Sequence, residues 1–279
     1  MQHYIIELKK EFPELAYMAG EPSLEVYLPL NMSEMGRQDK LRPCMLILPG
    51  GGYGMVSQRE GDPIAMHLLP HGYNVFVLQY TVAPNRYPNQ LVQVAAAMEL
   101  IHRNSKTWNC DPNRIAIMGF SAGGHLAAHY SNAYNCADVR KVFPNSKPVQ
   151  ASVLSYPVIT ADPQYAHQGS FENLLGYYPE GEQLEQFSCD KLVTKDTPPA
   201  FLWHTAEDGA VPVMNSLLYA QALSAYGIPF ALHIYPYGYH GLSTADRQTL
   251  DYVPDNAKHV KNWLPEMLTW LNQEFQNVQ

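Results

Sequence analysis

The chain has 279 residues, of which 46% are hydrophobic and 16% charged, a balance that suits an ordinary globular protein and excludes a disordered one. Lys and Arg number 18 against 26 Asp and Glu, a formal net charge of -8. With no Lys/Arg run and no apolar stretch near the length of a membrane span, neither nucleic acid nor membrane is an expected partner.

The N-terminal stretch Met1 to Lys10 has no apolar core of the kind a secretory leader needs, so the expected location is cytoplasmic. Cys44, Cys110, Cys136 and Cys189 are widely spaced, without a C-x-x-C pair, and read as free thiols rather than as a disulfide framework or zinc site; no metal is expected.

Along the chain, short apolar runs alternate with helical patterns. Cys44–Leu48 ends at Pro49-Gly50-Gly51-Gly52, and Val75–Leu78 follows the turn signal His71-Gly72. Then come Arg114–Met118, ending at Gly119, Ala151–Tyr156, stopped by Pro157, Ala200–His204, and Phe230–Tyr235, stopped by Pro236. Runs this short and continuous suit strands buried on both faces of a parallel sheet. Between them, residues 91–101, 122–134, 213–226 and 260–275 carry helix-like patterns, with Gly227 as a C-cap signal. This alternation predicts an α/β fold with helices on both faces of the sheet, in one domain over residues 1–279. The first thirty residues and the stretch 161–199 break the rhythm. The latter reads as a short insertion with one helix near residues 171–175, a minimal cap.

Gly119-Phe120-Ser121-Ala122-Gly123-Gly124 fits G-x-S-x-G between a predicted strand and a predicted helix, the context that motif requires. A serine on so sharp a turn exposes its hydroxyl, and its neighbours must be small. Ser121 is the candidate nucleophile. Acyl transfer also needs N–H donors for an oxyanion; Ala122 follows the serine, and the glycine loop Pro49-Gly50-Gly51-Gly52-Tyr53-Gly54 follows an earlier strand. The phosphate-loop and dinucleotide-loop patterns are not met.

In this fold the order is nucleophile, acid, base. Asp208 or Glu207 follows the fifth run; Asp208 is favoured because Gly209 suits a tight loop. His240, between Gly238 and Gly241 after the sixth run, is the candidate base. His204 and His233 fall within predicted strands, and His125 and His129 on the helix after Ser121; all four read as packing residues. Tyr53, Tyr237 and Tyr239 lie near the predicted site and suit stacking on a sugar, although Tyr is equally a core residue; Tyr53 and Tyr239 are the substrate-binding candidates.

Together with Pro198-Pro199 and the segments His204–Pro212 and Tyr239–Leu242, these motifs resemble the compact bacterial esterases of the α/β-hydrolase superfamily, acetyl-xylan-esterase-like or BD-FAE-like carboxylesterases. Hormone-sensitive-lipase-like enzymes and the prolyl oligopeptidase catalytic domain are related. The likeness covers residues 42–270. It implies a mainly parallel eight-stranded sheet, no cofactor, a Ser121–His240–Asp208 triad, oxyanion donors at Gly51, Gly52 and Ala122, and hydrolysis of short-chain acyl esters such as acetylated sugars or xylo-oligosaccharides. The expected partner is a small-molecule ester, and a homodimer is left open. Pro49 departs from the lipase-like group, which places His before the three glycines. A prolyl-oligopeptidase-like serine peptidase and a non-catalytic binding protein on the same fold are the competing readings.

Overall fold

The computed structural model describes residues 1–277. Its sheet is built from β1 (Gln2–Glu7), β2 (Ser23–Leu28), β3 (Arg42–Leu48), β4 (Asn74–Gln79), β5 (Cys110–Phe120), β6 (Ala151–Ser155), β7 (Ala200–Thr205) and β8 (Phe230–Tyr235). The spatial order of these eight strands is β1-β2-β4-β3-β5-β6-β7-β8. β2 runs antiparallel to both its neighbours, and every pairing from β4 to β8 is parallel.

The six apolar runs are the parallel strands: β3 to β7 are buried over most of their length, with both faces covered, while β8 lies at the sheet edge and is only half-buried. In β3, Leu46 and Leu48 face one core, while Met45 and Ile47 face the other. The period of two continues across the sheet, with Ile115 and Ile117 against Ala116 and Met118, and Leu202 against Phe201 and Trp203. Helices Asn89–Arg103, Ala122–Ala133 and Met214–Ala225 cover the first face. Helices Asp62–Leu68 and Trp263–Asn277 cover the second. At roughly 25 cal/mol per Å² of apolar surface, this two-sided burial is the main stabilising term.

The first thirty residues, read as irregular, instead hold β1 and β2. β1 is exposed at five of its six positions and lies at the sheet edge, so it carries no buried run for the sequence to display. In β2, Leu24 and Val26 alternate with half-exposed Ser23 and Glu25, a four-residue pattern that is short for recognition. Residues 161–199 contain two helices rather than one, Gln168–Leu175 and Glu182–Gln186. Gly176, at φ 90°, closes the first of them.

Candidate active site

Ser121 sits where β5 ends and the Ala122–Ala133 helix begins, with φ 52° and ψ -119°. A non-glycine residue in that region is strained and is held there by its surroundings. The Ser121 amide donates to the Ser155 carbonyl at 3.0 Å, and the Ser121 carbonyl accepts from the Val158 amide at 3.0 Å. The flanking glycines are required by space. A Cβ at Gly119 would lie 2.2 Å from the Gly123 carbonyl oxygen, and one at Gly123 would lie 2.1 Å from that of Leu48.

Two later loops bring partners to the same sheet edge. His240, after β8, has Nε2 2.8 Å from Ser121 Oγ and Nδ1 2.6 Å from Asp208 Oδ2. The serine hydroxyl can donate to Nε2 while Nδ1–H donates to the carboxylate. Asp208 follows β7 and is buried, and its Oδ1 accepts from the Ala210 and Val211 amides at 3.0 and 2.9 Å. Burial alone would raise this carboxyl; hydrogen bonds from His204 and His240, the nearby His240 charge and the Val211 amide outweigh it and hold the group well below the usual carboxylate range. Glu207, the competing acid, instead accepts from the Gly238 amide at 3.2 Å and tethers the histidine loop.

His204, read as a sheet residue, also supports the acid. Its Nε2 lies 3.2 Å from Asp208 Oδ2 and 2.9 Å from the Val211 carbonyl, and its Nδ1 lies 2.8 Å from Ser216 Oγ. The proton therefore belongs on Nε2, shared between two acceptors, while Nδ1 accepts from serine.

The glycine loop reaches the site through unusual backbone. Gly51 has φ 122° and Gly52 φ 63°, and a Cβ at Gly51 would collide with the Met55 carbonyl at 2.2 Å. Among the described residues, the amides of Gly51, Gly52 and Ala122 have no internal acceptor. Gly51, Gly52, Ser121 and His240 line one cavity of about 500 Å³. Met55, Val56, Ser57, Gln58, Arg59 and His167 line the rest of the wall together with Glu60 and Gly241. The volume suits a small ligand.

The structure places the two substrate-binding candidates differently. Tyr53 is 1% exposed: at φ 57° its ring turns inward, and its hydroxyl lies 2.9 Å from His125 Nδ1. His125 Nε2 lies 2.9 Å from the Phe187 carbonyl, so its proton is on Nε2 and Nδ1 accepts from Tyr53. Tyr53 therefore locks the glycine loop, through His125, to the Ala122–Ala133 helix and the insertion, and it offers a substrate no face. Tyr239 is 45% exposed beside His240, but it is not among the residues lining the cavity, and its hydroxyl donates to the Tyr252 carbonyl at 3.4 Å.

Three site residues carry no sequence signal of their own. Glu60 and His167 line the cavity, and Asn173 donates to the Gly52 carbonyl at 2.9 Å. Glu60 precedes a short helix, while His167 stands at the N-cap of the insertion's Gln168–Leu175 helix and Asn173 lies within it. Only the fold brings them to the serine.

A β-sheet in this order, with a strand–serine–helix turn at its carboxyl edge, defines an α/β-hydrolase. Residues 24–223 match the BD-FAE family, and the chain belongs to that family. An acetylxylan esterase of Xylanibacter ruminicola is 34% identical over 250 residues, 88% of this chain and 48% of that protein. Endo-1,4-beta-xylanase B of Butyrivibrio fibrisolvens is 38% identical over 248 residues, 85% of this chain and 39% of that protein. The chain thus spans about half or less of the length of these curated relatives. Among solved structures, an acetyl ester-xyloside bifunctional hydrolase from Caldicellulosiruptor lactoaceticus superposes with a TM-score of 0.82 at 36% identity, covering 97% of this chain and 96% of that one.

Among the described residues, no group of three His, Cys, Asp or Glu side chains is placed to hold a metal ion, and no helix is long and apolar enough to cross a membrane.

Proposed function

We propose that the protein is a serine carboxylesterase that removes short acyl groups, acetyl foremost, from sugars or xylo-oligosaccharides. One observation carries this reading: an unbroken hydrogen-bonded path from Asp208 through His240 to Ser121, at 2.6 and 2.8 Å, beside amides without internal acceptors.

Ser121 Oγ attacks the ester carbonyl carbon as its proton passes to His240 Nε2. The carbonyl oxygen becomes an oxyanion and takes hydrogen bonds from the Gly51, Gly52 and Ala122 amides. Collapse breaks the bond to the alcohol oxygen, which leaves with the His240 proton. Water then attacks the acyl-enzyme, gives a proton to His240, and the bond to Ser121 breaks as the serine recovers that proton. Asp208 stays ionised throughout, holds the Nδ1–H tautomer and stabilises the imidazolium.

Two observations support the substrate class. The relatives named above include an acetylxylan esterase and an acetyl ester-xyloside hydrolase. The cavity wall offers Ser57, Gln58, Arg59 and His167 to a hydroxylated alcohol, beside the apolar Met55 and Val56. A panel of acetyl, butyryl and octanoyl p-nitrophenyl esters, with acetylated xylo-oligosaccharides alongside, tests both parts. Acetyl esters should turn over fastest, sugar acetates included. Preference for octanoyl contradicts the acyl assignment, inert sugar acetates contradict the alcohol assignment, and no hydrolysis of any ester contradicts the esterase reading.

A further inference from the structure

Glu60 is 3% exposed, borders the cavity and has no part in the steps above. Its Oε2 accepts from the Gly50 amide at 2.7 Å, and its Oε1 accepts from the Tyr156 hydroxyl at 2.6 Å. Tyr156 stands just past β6 and joins a third loop: its Oη accepts from the Ser243 amide at 3.1 Å, three residues beyond His240. Its ring also meets the His240 ring edge-on, with centroids 5.0 Å apart. Ser243 Oγ in turn donates to the Arg59 carbonyl at 2.6 Å, closing the circuit next to Glu60 itself. One buried carboxyl therefore ties the glycine loop, the end of β6 and the histidine loop together.

The donor pattern assigns the charge. Tyr156 Oη receives the Ser243 N–H and donates to Glu60 Oε1, so both carboxyl oxygens serve as acceptors, the pattern that suits an ionised group. Burial holds this carboxyl above the ordinary carboxylate range, and Tyr156, Gly50 and the charges of His240 and Arg59 offset only part of that rise. The glycine loop packs closely on this carboxyl: a Cβ at Gly50 would lie 2.8 Å from Glu60 Oε2 and 3.0 Å from Ser121 Cβ.

Resting on the esterase reading, we infer that Glu60 is a positioning residue for the reaction: it fixes the glycine loop and the His240 loop relative to Ser121 and adds a second negative charge near the imidazolium. The titratable and charged groups around His240 are Asp208, Glu60, Tyr156, His167 and Arg59. Removing the Glu60 charge makes the imidazolium easier to deprotonate, so the acid limb of kcat/KM moves to lower pH.

The test uses Glu60→Gln and Glu60→Asp on p-nitrophenyl acetate, with active sites titrated by a fluorophosphonate so that rates refer to folded enzyme. For Glu60→Gln, kcat should fall about ten- to a hundredfold, with KM changing far less. Its acid limb should shift down by about half a pH unit or more. Glu60→Asp, which keeps the charge but shortens the reach, should lower kcat while leaving the limb in place. A loss fully explained by fewer titratable sites, or a Gln variant with an unmoved limb, overturns the positioning role. Wild-type protein that neither labels nor turns over the ester overturns the esterase reading instead.

Discussion

The Asn173 side-chain amide donates to the Gly52 carbonyl at 2.9 Å, across 121 positions of sequence. The insertion is thus a brace on the glycine loop rather than only a cover over the site. Arg86 strengthens the brace by donating to the Asn173 carbonyl at 2.5 Å, and the Ala83 amide holds the Tyr53 carbonyl at 2.8 Å. Replacing Asn173 by Ala leaves the Gly52 carbonyl without this donor, a loss of about 1 kcal/mol in stability. Because the freed peptide adjoins two proposed oxyanion donors, kcat should drop about tenfold. Thermal melts and initial rates check the two effects separately.

The nucleophile turn should tolerate no side chain at Gly123. A methyl group there lies 2.1 Å from the Leu48 carbonyl oxygen and 2.4 Å from that of Pro49, both backbone atoms that cannot swing away. Gly123→Ala is expected to cost about 3 kcal/mol or more. A denaturant midpoint equal to that of the parent protein contradicts this close approach.

Stability should decline as the solution is made mildly acidic. Burial lowers His125 from an ordinary 6.5 to about 4 and His129 to about 3. Both are neutral in the fold, so below about 6.5 the unfolded chain binds protons that the fold refuses, and stability is lost as pH falls towards 4. Between pH 7 and pH 5 each should account for roughly 2 kcal/mol. Asp208, whose depressed carboxyl acts only at still lower pH, adds little in that interval. Urea midpoints at the two pH values read the effect, and a flat profile contradicts it.

His167 should matter most for hydroxylated substrates. Its Nδ1 is 2.8 Å from Ser170 Oγ, and the ring edge faces the same cavity as Ser121 and His240. Burial, followed by the neighbouring His240 charge, lowers its pKa, which favours the neutral ring. Nε2 is then free to hydrogen-bond a sugar hydroxyl. His167→Ala is expected to reduce kcat/KM for an acetylated xylo-oligosaccharide, relative to p-nitrophenyl acetate, by about tenfold. An unchanged ratio removes His167 from alcohol recognition.

How much of this was readable beforehand follows from burial and distance. Five of the six parallel strands were visible because both of their faces are buried; β8, a half-exposed edge strand, was visible through its aromatic and β-branched residues. Ser121, Asp208 and His240 were visible because each follows such a strand, in a loop whose glycines mark a tight turn. β1 was hidden because an exposed edge strand needs no buried run. Tyr53 was misread because adjacency in sequence does not fix direction: a positive φ turns its ring into the core, onto His125. Glu60 and Asn173 were invisible because each acts on a backbone group far along the chain, and no local spacing encodes such a bond.

The most direct measurement is mass spectrometry of the protein after reaction with a fluorophosphonate, paired with ester turnover by the Ser121→Ala variant. The account predicts one adduct, on Ser121, formed with loss of esterase activity, and neither labelling nor turnover above the water reaction in the variant. An adduct on another residue, or a Ser121→Ala protein that still hydrolyses acetyl esters at the parent rate, contradicts it.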